Sequence, residues 1–378
     1  MTQYNHRQRV LATIQHQEAD RIPLDLMGQA TMLLDQTYFR LRDFLGLSPI
    51  PPARFGSTAN YYDERILEIL DIDFRRIMLK SKPQSEPIYK ADGSFTDAWG
   101  IGFKTEGIFV NVINPPLANV ATIKEVELYP WPAATTLFDT EGLRSHAKEL
   151  FYNTDYALVA RNPVTYGLFD RACLMMGNAN FMMTMANNPS IAHALLERIL
   201  AIYKDIWTLF LEEIGEFVQM VEYGDDIGGQ NNLLISPVMY RTFLKPREAE
   251  LFSLIRYKAP NAAIFRHCDG SIAKIIPDFI EIGVNVLNPV QTSAKGMDGK
   301  FLKETFGNQL TFHGAIEKME EDEETLAAEV EAKIATFATG GGYIFSSCNH
   351  MINVPPENIL LMFDLARKYG KYPIFSGQ

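Results

Sequence analysis

The sequence predicts an α/β fold, a (β/α)8 TIM barrel running through residues 1–378 as a single domain. Two observations predict it. After residue 155, extended apolar runs recur at 156–161, 217–223, 262–267, 284–289, 310–316 and 342–347, each followed by a turn and usually by a helix-like segment. Runs at 22–26 and near 69–74 bring the strand count close to the eight of a closed barrel. The competing open nucleotide-binding sheet lacks local support, because no GxGxxG turn follows the first strand and no GxxxxGK[ST] sequence occurs.

Taken in order, residues 5–17 read as a short amino-terminal helix, bounded by Pro23 before the extended stretch RIPLDLMG. Residues 29–47 are helical in tendency and end at Gly46, whereas 49–60, with Pro49, Pro51, Pro52 and Gly56, read as loop. Residues 75–132 carry short extended pieces broken by Gly, Asp and Pro, as in TDAWGIGF, VINPP and LYPWP. They are expected to form an irregular or antiparallel insertion. Helices are expected at 191–213, 237–257, 272–282, 323–338 and 356–369, several opening at Pro or closing at Gly.

Composition narrows the function. With 46 acidic against 35 basic residues the net charge is −11, which argues against a nucleic-acid partner. Cys173, Cys268 and Cys348 are too few and too dispersed for a disulfide framework, so a reducing cytoplasmic setting is expected. The polar amino terminus does not resemble a signal peptide, and no apolar run reaches the roughly 18 residues of a spanning helix, so no membrane segment is expected.

Chemistry concentrates where predicted strands end, at VEYGDD (221–226), FRHCDG (265–270) and IFSSCNH (344–350). In a barrel these carboxyl ends meet on one face. A strand period of two puts His267 and Asp269 on one side and Cys268 on the other. With Cys348 they make an N/O/S donor set acceptable to zinc. Should the chain bend before Asp269, Cys268 replaces it; Glu222 is a further alternative ligand. A plain His267–Asp269 hydrogen bond with a buried Cys348 fits the same spacing.

Over nearly its whole length the chain resembles the uroporphyrinogen decarboxylase superfamily. The matching segments are HRQRVLATIQHQEADRIPLDLMG at 6–28, TDAWG at 96–100, GLFDRACLMMG at 167–177, VEYGDDIGGQNNLLISPVMYRTFLKP at 221–246, HCDGSIAKIIPDFIEIGVNVLNPVQTSAKGMD at 267–298, LTFHGAIE at 310–317 and GGYIFSSCNHMINVPPENI at 341–359. The resemblance implies a (β/α)8 barrel. Its corrinoid-dependent methyltransferase branch implies zinc held by a His, Cys, Cys set, which falls on His267, on Asp269 in place of the first cysteine, and on Cys348. A carboxylate for a thiolate makes the site harder and favours an oxygen-bound substrate. The expectation is therefore methyl transfer between an O-methyl compound, such as an aryl methyl ether, and cobalamin carried by a corrinoid protein. The metal-independent decarboxylase branch implies arginines after the first strand, where this chain has LDLMGQATML. A lyase of that kind, or a noncatalytic barrel binding a corrinoid or tetrapyrrole, is the alternative reading. A homo-oligomer is compatible with either.

Under this reading Asp226 and His313 are the candidate catalytic residues. Asp25, Arg161, Asp225, Asn288, Gln291 and His350 are candidates for substrate binding. Several also have an ordinary role open to them: an Asx turn for Asp225 and Asp226, a core hydrogen bond for His313, a surface position for His350, and a buried ion pair for Asp25 and Arg161.

Overall fold

In the computed structural model, which describes residues 4–54 and 57–374, the apolar runs form seven parallel strands. They are β1 (Phe74–Ile77), β2 (Ala157–Ala160), β3 (Met220–Gly224), β4 (Ala263–His267), β5 (Val286–Asn288), β6 (Thr311–Ile316) and β7 (Tyr343–Ser347), hydrogen-bonded in that order. All of their residues are buried, as expected for strands covered on both faces. Residues 22–26 fill the gap between β7 and β1. Asp25 N–H donates to Phe345 O and Phe345 N–H to Pro23 O on one side, while Asp73 N–H donates to Leu24 O on the other. The result is a TIM-barrel-like sheet whose eighth side is an extended segment with a single bridge, Leu24 to Phe345, rather than a full strand.

The elements follow the predicted alternation with three differences. The helix expected over 237–257 is interrupted by a π turn, Tyr240–Leu244, before Lys245–Lys258. Pro246 has no N–H to continue the α pattern, and Lys245 N–H reaches back five residues to Tyr240 O. The helix expected over 29–47 begins only at Asp35 and ends at Phe44. Residues 29–34 instead cross the barrel end: Leu33 bridges Met351, and Met32 N–H donates to His350 Nδ1 at 3.1 Å. The extended stretch expected near 69–74 divides into a helix, Glu64–Ile69, capped by Asp63, and β1.

The insertion starts after Ile77, because Arg75–Ile77 belong to the barrel. It contains a four-stranded antiparallel sheet, Ile88–Tyr89, Ser94–Thr96, Gly102–Glu106 and Phe109–Asn114. Trp99 anchors it, packing edge-on to Trp131 and Tyr203 with the Arg171 guanidinium 4.4 Å from its ring centre. Among the described residues no helix is long and apolar enough to cross a membrane.

Candidate metal centre

Strand alternation decides which side chains enter the barrel. On β4, Arg266 points outward to a buried ion pair with Glu248 (2.7 Å), so its neighbour His267 points inward. Arg76 of β1 meets Glu222 of β3 at 3.0 Å, and His313 of β6 meets Asp25 of the closing segment at 2.8 Å. Each pair skips an intervening strand, so these contacts lie inside the barrel.

These inward residues form one hydrogen-bonded chain. Burial would raise the Asp25 carboxyl, but the Arg76 guanidinium outweighs it and holds Asp25 at about 2. As a carboxylate, Asp25 accepts from His313 Nε2, leaving Nδ1 to accept from Asn288 Nδ2 at 2.8 Å. Asn288 Oδ1 then accepts from His267 Nδ1 at 2.7 Å. The polarity propagates from an anion at the barrel's closing edge and directs His267 Nε2 towards the mouth.

There the Nε2 atom lies 3.4 Å from Asp226 Oδ1 and 3.9 Å from Asp269 Oδ2; donor atoms of the three residues all fall within 4.8 Å of one another. Tetrahedral donors about 2.0–2.2 Å from zinc sit roughly 3.3–3.6 Å apart, so a small contraction brings this imidazole and two carboxylates to a metal. His267 is 8% exposed, against 41% and 34% for Asp226 and Asp269, which leaves the carboxylate side open. Burial would lower His267, but Asp226 and Asp269 reverse this and raise it to about 10; a metal must therefore displace its proton. Burial likewise works against ionised Asp226, yet His267 brings it down to about 2.

The turn after β4 is built for this. Gly270 has φ +84°, and a Cβ there would stand 2.6 Å from the Gly229 carbonyl oxygen. This close approach lets Asp269 N–H donate to Asp226 Oδ1 at 2.9 Å, and Gln291 Oε1 accepts from Gly270 N–H at 3.0 Å. The Asn349 amide, oriented to donate, reaches Asp269 Oδ1 at 3.1 Å.

The Cys348 thiol, expected among the ligands, lies outside the donor group. It is buried, and burial together with the charges of Glu317 and Asp269 pushes it well above the usual thiol range. Asp226 takes its place in the group. The Cys268 sulfur faces away from the imidazole and accepts from Ile227 N–H at 3.5 Å. Glu222 is fully buried against Arg76, and among the described residues its Oε2 has no hydrogen-bond partner. Asp225 is fully buried and spends its oxygens on Phe169 and Asp170 N–H (2.8 and 2.9 Å), holding the start of the helix Leu168–Met176. Gly167 makes room, since a Cβ there would meet the Asp225 side chain at 2.1 Å. Arg161 and His350 stand at the mouth.

Sequence reasoning missed two groups here. Asp170, whose Oδ2 accepts from Asp226 N–H at 3.1 Å, is raised to about 7 by burial and by the Asp226 charge. Arg76 fixes Asp25. Neither stood at a predicted strand end, although Asp170 lies in the quoted segment GLFDRACLMMG.

The family model described as Uroporphyrinogen decarboxylase (URO-D) matches residues 102–369, well over half of the sequence. The chain belongs to the uroporphyrinogen decarboxylase family. Among solved structures it is similar to a methyltransferase from Methanosarcina mazei, with TM-score 0.67 and 16% identity over 97% of this chain and 99% of that one. That likeness shows a shared fold. A native xylanase 10B from Thermotoga maritima overlaps at TM-score 0.38 and 10% identity, over 61% of this chain and 80% of its own, which carries no functional argument. No curated protein matched the sequence.

The relay makes its own prediction. Asn288→Ala removes the acceptor that fixes the His267 tautomer, and zinc affinity is expected to fall about 10–100-fold with the fold retained. Competition against a chromophoric chelator measures it; unchanged affinity would show that Asn288 does not orient the imidazole.

Proposed function

We propose that this family member is a zinc-dependent methyltransferase that moves a methyl group between an O-methyl compound, such as an aryl methyl ether, and a corrinoid protein. The observation that carries the reading is the convergence of Asp226, His267 and Asp269 at the barrel mouth, behind an orienting relay. The fold shared with the methyltransferase from Methanosarcina mazei supports it.

His267 Nε2, Asp226 Oδ1 and Asp269 Oδ2 would hold the metal. When bound, zinc supplies Lewis-acid stabilisation of charge developing on the ether oxygen, and the partner's corrinoid supplies the nucleophile for the methyl carbon. The chain's own part is alignment. Asp25, His313 and Asn288 keep His267 Nε2 directed outward, while Asn349 and the Asp226–Asp269 hydrogen bond hold the carboxylates in register. The open carboxylate side leaves room for a substrate oxygen, and an oxygen-rich donor set favours oxygen over sulfur there.

The test mixes the zinc-loaded protein with a corrinoid protein reduced to the cobalt(I) state and offers methoxylated aromatics, methylamines and methyl thioethers. Zinc-dependent conversion of the cobalt spectrum to the methylated form with an aryl ether is the expected result. Turnover insensitive to chelation, transfer from thioethers alone, or decarboxylation of a porphyrinogen would overturn the reading.

A further inference from the structure

Four consecutive βα loops meet on the rim beside Asp269, and a second line of hydrogen bonds runs through them. Gly270 N–H, next to Asp269 after β4, donates to Gln291 Oε1 at 3.0 Å. Gln291 Nε2, in the loop after β5, donates to Gln230 Oε1 at 3.1 Å, and Gln230 Nε2, in the loop after β3, donates to Ser293 O at 2.8 Å. Ser293 in turn donates through its N–H, at 3.1 Å, and through its hydroxyl to the carboxylate of Glu317, directly after β6. Thr292 Oγ1 adds a third bond to that carboxylate at 2.7 Å, and Lys333 Nζ stands 3.9 Å from it.

The direction of this line is fixed at both ends. A backbone N–H can only donate and a backbone carbonyl can only accept, so each glutamine amide has one orientation that satisfies both of its neighbours. Every step therefore runs the same way, from the turn that carries Asp269 to the Glu317 carboxylate. Backbone groups brace the same loops: Ser271 N–H donates to Gly229 O at 2.8 Å, Lys295 N–H to Gln230 O at 2.9 Å, and Ser271 Oγ to Lys295 O at 2.6 Å. The interior relay that runs from Asp25 to His267 shares no member with this line. Gln291 is the joint, because its oxygen holds the Asp269 turn while its Nε2 holds the loop that also carries Asp226.

We infer that Gln291 is a positioning residue for Asp269: with Gln230 and Glu317 it fixes the turn after β4 so that the Asp269 carboxylate faces His267 and Asp226. The donor group is then oriented from two carboxylates, Asp25 through the barrel interior and Glu317 along the rim. The inference deepens the proposed zinc site and rests on it for the metal, whereas the hold on the turn is a property of the metal-free protein. A ligand already held in place loses less freedom when a metal binds, which is how partners behind the ligands raise affinity.

Two measurements test it. In the metal-free protein, amide hydrogen exchange follows the turn at 268–272, with β4 as the internal control for folding. Gln291→Met, which lacks both polar ends, is expected to speed exchange in the turn at least about 10-fold and to leave β4 protected. Gln230→Met should act in the same direction by less. Zinc affinity, from chelator competition, is expected to fall about 10-fold in Gln291→Met, and to fall no further when that change is made in Asp269→Asn, because the two residues act as one. Unchanged exchange in the turn, or an equal loss of zinc affinity in the Asp269→Asn background, would overturn the inference. Intact zinc affinity with weakened binding of methoxybenzene would also overturn it and make Gln291 a substrate contact. A parent protein that binds no zinc, or binds it without methyl transfer to a corrinoid, sinks the methyltransferase reading; faster exchange in Gln291→Met upholds the hold of Gln291 on Asp269 in either case.

Discussion

His267→Ala is expected to eliminate tight zinc binding and to lower methyl transfer by about 10³-fold, because a metal's contribution to charge stabilisation is several kcal/mol at about 1.4 kcal/mol per decade of rate. The fold should survive, since the imidazole sits at the mouth: its loss strands Asn288 Oδ1 and removes the cation facing Asp226 and Asp269, which are part-exposed. Cys348→Ala separates two donor sets. Its sulfur is outside the group formed by Asp226, His267 and Asp269, so its removal should leave zinc affinity within a few-fold of the parent. Asp226→Asn, by contrast, should behave like His267→Ala. Zinc content after dialysis and single-turnover methyl transfer, measured on all three variants, check the assignment. If Cys348→Ala loses zinc and Asp226→Asn keeps it, the thiol is a ligand and the carboxylate is not.

The contrast between Cys348 and Asp226 shows how far the sequence carries. His267 and Asp269 could be paired from their spacing alone, because a strand's period of two is a local rule and β4 runs to His267. Placing the barrel's inner polar residues needed only the positions of strand ends, so Asn288 and His313 were legible as candidates. Their order in a relay was not, since it depends on which side chains cross the interior and on the anion that starts it. Asp226 and Cys348 lie beyond their strands, where loop geometry decides direction, and Gly270 and the Gly228–Gly229 backbone set that geometry through a close approach no pattern encodes. Asp170 is a further case: it reaches the mouth from the helix Leu168–Met176, whose sequence carries no strand signal. The helix expected at 29–34 fails for a related reason, as those residues satisfy their backbone across the barrel with Met351 and His350 instead of with each other.

Arg76→Met should be the most destabilising single change within the barrel. Arg76 is fully buried between Asp25 and Glu222, and also donates to Leu26 O at 3.0 Å. Removing it leaves two carboxyl groups facing one another in a space closed to water, a loss of about 3–5 kcal/mol for a buried pair deprived of one partner. The shift should appear as a lower urea midpoint at pH 7. Its pH dependence identifies the cause. In the parent protein Asp25 is held at about 2, below its ordinary unfolded value of about 3.9, so its contribution is complete above that value and is lost as pH falls towards 2. Without Arg76, burial acts on Asp25 with only His313 opposing it, and the carboxyl takes up a proton at higher pH than in the parent. The deficit between variant and parent should therefore narrow as pH is lowered from 7 towards 5. A deficit constant over that range would mean that lost packing around the guanidinium, and not an uncompensated charge on Asp25, accounts for the destabilisation. The same variant also releases the far end of the relay, since Asp25 no longer needs to be an anion. Weakened zinc binding with His267, Asn288 and His313 all intact would then show that the metal centre takes its orientation from a charge pair on the barrel's closing edge.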